Sequence, residues 1–207
     1  MPARQRLARL PLSFFRRGAA EVAPDLLGRY LVRRLDGTRL VARIVETEAY
    51  LGAPDPASHA RGGLRSARNE SLYLPGGHLY VYLIYGLHHC ANAVTGEAGG
   101  ADAVLLRAAE PVAGEEVMAA RRGLSRPRPG DLLGGPGKLC QALGIDRSLD
   151  GVRLDRGALT VAAGKPVAAA EIAVGTRIGV DYAGEAAAWP LRFAVAGCRH
   201  VSRPHPW

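Results

Sequence analysis

Two runs that alternate apolar and polar residues, Tyr30–Arg34 and Arg39–Tyr50, lie either side of Asp36-Gly37. A period of two belongs to a half-buried strand, and Asp-Gly supplies the positive-φ residues that a tight antiparallel turn needs. The chain is thus committed early to an antiparallel strand pair. More strand material follows: His78–Tyr85 and His88–Thr95 meet near Gly86, and Ala103–Ala108 reads as a further strand. Helices are fewer. Ala20–Leu27 is short, with Pro24 tolerated near its start and Gly28 as its stop. Val112–Arg122 and Lys138–Leu143 are the others, the last ended by Gly144. Ser125–Gly137, rich in proline and glycine, reads as a loop.

The final third alternates short strands with turns: Leu159–Ala163, Glu171–Val174, Arg177–Val180 and Leu191–Val195. Its last ten residues read as a loose tail. Local strand connections dominate, which predicts a mixed α/β (α+β) fold. The expected architecture is a single domain over residues 19–207: a curved, mainly antiparallel sheet flanked by helices, with a protruding β-hairpin. Residues 1–18 read as a flexible basic arm.

Charge narrows the partner. The 207 residues carry a formal charge of +8 and a sequence pI of about 9.9, a balance that favours an anion. Lys138 and Lys165 are the only lysines, so arginine supplies nearly all the positive charge. Cys90, Cys140 and Cys198 are widely spaced, which argues against a disulfide framework or a thiolate metal site and for a reducing cytoplasm. No apolar run approaches a membrane span, and Leu10–Phe15, broken by Pro11 and Ser13, is too short for a signal segment.

Two stretches carry chemistry. In Arg43–Tyr50, strand parity puts Ile44, Glu46, Glu48 and Tyr50 on one face. Two carboxylates and a ring at a strand end do not form a core pattern, although a solvated strand face would look the same. In Leu79–Gly86, Tyr80 and Tyr82 share a face, while Tyr85 has the opposite parity and sits beside the turn glycine. A tyrosine on a hairpin tip suits a wedge that fills the gap left by a flipped base, and the extruded base needs aromatic faces to stack on. The plain alternative is a strand enriched in tyrosine because tyrosine favours strands.

Longer motifs extend these stretches. Arg43–Gly52 continues to His59-Ala60-Arg61-Gly62-Gly63 and Arg68-Asn69. Leu79–Asn92, Val104–Ala108 with Glu110-Pro111, Gly135–Leu143, Ala183-Gly184-Glu185 and Pro190–Phe193 follow in order. Together they resemble the alkyladenine (3-methyladenine) DNA glycosylase family from Leu26 onward. Ala186, where many relatives carry tryptophan, departs from the pattern.

The resemblance implies a monofunctional enzyme of base excision repair that needs no metal or cofactor. Its partner would be double-stranded DNA with alkylated or deaminated purines such as 3-methyladenine, 7-methylguanine, hypoxanthine or ethenoadenine, and it would act as a monomer. It implies Glu48 as the base that activates water, supported by Arg107. Tyr50, His59 and Tyr82 become the walls around the flipped base, Tyr85 the intercalating wedge, and Asn92 the residue that disfavours guanine's 2-amino group. Breaking an N-glycosidic bond passes through an oxocarbenium-like sugar, which a nearby carboxylate stabilises.

Other signals are weaker. Gly134–Lys138 lacks P-loop spacing and has Leu139 where a magnesium-binding hydroxyl belongs, although Lys138 at a helix start could meet a DNA phosphate. His88-His89 with Glu46, Glu48 and His59 would make a metal site only with distortion, because adjacent strand residues point apart. Pro2 could offer a secondary amine for Schiff-base lyase chemistry, but Ala3–Arg6 does not continue that pattern. A non-catalytic nucleic-acid-binding module with the same basic surface and wedge is the competing reading.

Overall fold

The structure, a computed structural model, describes residues 7–206. The hairpin forms where the alternation places it. Asp36 and Gly37 adopt φ of 48° and 76°, joining β1 (Tyr30–Leu35) to β2 (Thr38–Leu51). β2 is the spine of the sheet. β5 (Asp102–Ala113) pairs along one edge of it from Val41 to Leu51. The other edge is divided: β1 takes residues 38–43 and β8 (Arg192–Val195) takes residues 46–48. Beyond β5 lie β4 (His88–Thr95) and β3 (Leu79–Ile84); beyond β1 lies β6 (Leu159–Ala162), and β7 (Ile172–Gly175) pairs with β8. Every pair is antiparallel, giving one open eight-stranded sheet in an α+β fold.

Helices cover one face of the sheet. α1 (Ala19–Leu26), α2 (Glu115–Arg122) and α3 (Pro136–Leu143) bring Val22, Leu26, Met118, Leu139 and Leu143 against Leu40, Ile44, Ala49, Val104 and Leu106. Full burial of each large aliphatic side chain is worth about 1.5–3 kcal/mol, so this layer anchors the sheet. α1 ends at Gly28, whose φ is 81° and where a Cβ would stand 2.2 Å from the Lys165 carbonyl oxygen; only glycine fits. The opposite face is covered by irregular segments, chiefly 52–74, 177–189 and 198–206, and that face holds the site.

Five expectations need correction. The arm does not extend to residue 18: Leu10 and Phe15 are buried in the main core, and Leu10 N donates to Val161 O at 2.9 Å. Their apolar side chains draw residues 7–18 into the domain. Residues 1–6, including Pro2, lie outside the described residues. The end of the chain is not a loose tail either, because Val201 and Ser202 are buried against β2 and β8. Residues 177–180 form no strand, and β5 extends through Val112 so that α2 starts only after Gly114.

The fifth correction concerns parity. Ile44 pairs with Ala109 and Glu46 with Ala108, then Thr47 pairs with Leu106, so bulges interrupt the ladder at Val45 and at Arg107. Ile44 therefore shares the helical face with Thr47, whose hydroxyl donates to Ala23 O, and with Ala49. Glu46, Glu48 and Tyr50 emerge together on the other face, without Ile44.

Candidate active site

The site face is built chiefly from strands β2, β3, β4 and β5 and from two loops, 57–72 and 178–182. β3 and β4 form a hairpin in which Tyr82 pairs with Cys90 and Tyr80 with Asn92. At its tip Leu87 N donates to Ile84 O at 3.1 Å, and Tyr85 and Gly86 both have positive φ, 52° and 68°. That is the geometry of a tight primed turn, where asparagine or glycine is usual. A tyrosine there costs on the order of 1–3 kcal/mol of backbone strain, and the residue is 87% exposed.

A cavity of about 510 Å³ opens beneath the hairpin. Tyr50, His59, Tyr82, Asn92, Arg107 and Tyr85 all line it, so the structure gathers six of the residues singled out in the sequence. Tyr80 and Tyr82 stack with ring centroids 5.5 Å apart, and the His59 ring meets Tyr82 edge-on at 4.4 Å. His59 Nδ1 and the Tyr80 hydroxyl are hydrogen-bonded at 2.9 Å, which leaves Nε2 for another partner. Burial, with Arg68 and Arg61 nearby, lowers the His59 pKa, so the ring is neutral at neutral pH. Asn92 Nδ2 donates to Tyr80 O at 3.2 Å, fixing its amide.

Glu48 does not itself line the cavity. It is fully buried behind three residues that do. The Tyr50 hydroxyl donates to Oε2 at 2.9 Å, Ile178 N donates to Oε1 at 2.8 Å, and Arg107 Nη1 lies 3.2 Å from Oε1. Burial and the adjacent Glu48 charge push the Tyr50 pKa well up, so its phenol stays protonated and able to donate. For Arg107, burial works against the charge, but Glu48 and then Glu46 outweigh it and raise the pKa. The guanidinium is a permanent cation between two carboxylates.

The structure separates the two glutamates that strand parity leaves equivalent. Glu46 Oε1 accepts from Arg192 Nε at 2.7 Å, Ser202 Oγ at 2.9 Å and Arg107 Nε at 3.2 Å, while Oε2 accepts from Ser202 N at 2.7 Å. Its acceptor capacity is taken up by structure, away from the cavity.

Lys138 lies in the first turn of α3, outside the cavity lining, with Nζ 3.4 Å from Gly130 O; it is Pro136, two residues earlier, that reaches the cavity. His88 and His89 begin β4, and among the described residues no group of three His, Cys, Asp or Glu is placed to hold a metal ion. The sequence assigns no site role to Ile178, Arg68 or Cys90, which also line the cavity, as does Tyr80. An Ile backbone amide carries no signature in the sequence, whereas the shared strand face of Tyr80 and Tyr82 put both rings on one side of β3.

A buried carboxylate is thus held behind an aromatic cavity that carries an exposed ring at its rim. Residues 13–199 match the family described as methylpurine-DNA glycosylase (MPG), and the chain belongs to that family. It is accordingly a DNA glycosylase, a hydrolase of N-glycosyl bonds. A chain of Desulfitobacterium hafniense bearing the name 3-methyladenine DNA glycosylase is 44% identical over 95% of this chain and 99% of its own. One of Methanoculleus marisnigri with the same name is 49% identical, covering 94% and 98%. The human DNA-3-methyladenine glycosylase is 45% identical over 95% of this chain and 68% of its own.

Proposed function

We propose that the enzyme flips alkylated or deaminated purines out of duplex DNA and hydrolyses their N-glycosidic bond with a water activated by Glu48. The substrates are 3-methyladenine, 7-methylguanine, hypoxanthine and ethenoadenine. The observation that carries this reading is the Glu48 carboxylate, oriented directly behind the cavity wall by Tyr50, Ile178 and Arg107, which line it. A water reaching Glu48 between these three would have a base on one side and the sugar of a flipped nucleotide on the other. The carboxylate would also stabilise the oxocarbenium-like sugar as the bond breaks.

The remaining side chains divide the other tasks. Tyr50 on one side, with His59 and Tyr82 on the other, sandwich the base. A cationic purine between such rings gains about 2 kcal/mol when desolvated. Tyr85 fills the gap left in the duplex, Asn92 excludes the 2-amino group of guanine, and Lys138 contacts a phosphate outside the cavity. On this reading the enzyme works as a monomer in the cytoplasm, without metal or cofactor.

The test is base release from duplexes carrying each lesion, in EDTA, by wild type and Glu48→Gln. Wild type should release the base and leave an unnicked abasic strand. Glu48→Gln should lose about 10³-fold in rate while still binding the lesion duplex. Binding without release by wild type would favour a non-catalytic module, EDTA sensitivity a metal enzyme, and a borohydride-trapped adduct a lyase.

A further inference from the structure

Behind Tyr50, on the side away from the cavity, lies an ion pair that the reaction as described does not use. Asp55 and Arg177 have fully buried side chains and meet in a two-pronged contact, Nη1 on Oδ2 and Nη2 on Oδ1 at 3.0 Å. Nη1 also donates to Ala49 O at 3.0 Å and Nη2 to Ala186 O at 3.2 Å. The guanidinium carbon stands 4.8 Å from the centroid of the Tyr50 ring. The Asp55 carboxylate further accepts from Leu51 N and Ala57 N, pinning the segment that leads from β2 to His59. Desolvating such a pair is expensive, and well-packed apolar residues often stabilise a core as well. Its use here is geometric.

Two donors orient the Glu48 carboxylate besides Arg107: the Tyr50 hydroxyl and the Ile178 backbone N–H. Both depend on Arg177. The Tyr50 ring rests against its guanidinium, and Ile178 is the next residue in the chain, so its amide is placed by the anchoring of Arg177 itself. Arg177 is absent from the cavity lining, so it can act only through these neighbours. We propose that Arg177, clamped by Asp55, is a positioning residue for excision: it holds the two donors that aim Glu48. This rests on Glu48 being the base.

The experiment is a double-mutant cycle. Single-turnover excision of hypoxanthine and 7-methylguanine is measured per active molecule for wild type, Arg177→Lys, Glu48→Gln and the double variant, with lesion-duplex affinity in parallel. Arg177→Lys keeps the charge and loses the fork. It should lower the excision rate by about 10²-fold, because small displacements of a catalytic group are costly. Affinity should change by less than about threefold, and in the Glu48→Gln background the same substitution should change the residual rate by less than about threefold. An undiminished loss in that background, or a loss confined to affinity, would overturn the proposal. Full activity of Glu48→Gln alone would instead remove the base reading, and this inference with it. Asp55→Asn, which keeps the shape and one acceptor, tests the same clamp if Arg177→Lys does not fold.

Discussion

His59 illustrates how the neighbours of a single side chain set its chemistry. Its motif placed it at the site, but its charge state follows from burial and from Arg68 and Arg61, which the folded chain brings close. The unfolded chain takes up a proton near the usual value of 6.5, whereas the folded protein resists it to lower pH. Stability should therefore fall as pH drops below that value, since the unfolded state then binds more protons. Melting temperatures between pH 7 and 5 should show this decline, and His59→Gln should make it shallower. His200, also lowered by burial, should preserve part of the slope in the variant. An unchanged slope in His59→Gln would contradict the assignment. Glu46 makes the converse point at the same scale. Its residue type and parity match those of Glu48, and only its four hydrogen bonds reveal a structural role.

Elements were legible where local chemistry dictates them. Asp36-Gly37 specifies a hairpin because its residues tolerate positive φ, and the β3–β4 hairpin followed from its strands and Gly86. The β2 bulge was not legible. It exists because β2 must present Ile44 to the helices and then Glu46 and Glu48 to the opposite face, a demand set by what packs on each side. Residues 177–180 look like a strand by alternation, yet Arg177 is held by Asp55 and Ile178 N by Glu48, so the backbone bonds elsewhere. The C-terminal segment belongs to the same lesson. Ser202 caps Glu46 through both its N–H and its hydroxyl, and Pro204 O accepts from Arg192. Glu46→Ala should cost about 3–5 kcal/mol in urea unfolding, because Arg192 and Arg107 would be left buried with less compensation. Ser202→Ala, which removes only the hydroxyl, should cost about 1–3 kcal/mol. Near-zero values for both would mean that this network does not hold the segment.

Across the whole molecule, the formal charge of +8 is a statement about association rather than fold. Affinity for undamaged duplex should fall steeply with salt, with a log–log slope of about −0.9 for each phosphate neutralised. A flat dependence between low and physiological salt would remove the electrostatic part of the DNA-binding argument. The antiparallel sheet, its two hairpins and six residues of the cavity wall, Tyr50, His59, Tyr82, Tyr85, Asn92 and Arg107, were already written in the string of amino acids. Alternation, turn chemistry and motif spacing are local properties, or survive as order along the chain. What folding alone decided is how the two glutamates are held, Glu46 by Arg192, Ser202 and Arg107, and Glu48 behind the cavity by Tyr50, Ile178 and Arg107. Ser202 lies 156 positions from Glu46, and Ile178 lies 130 positions from Glu48. Hydrogen-bond saturation and burial depend on partners that distant, so no reading of the local sequence contains them.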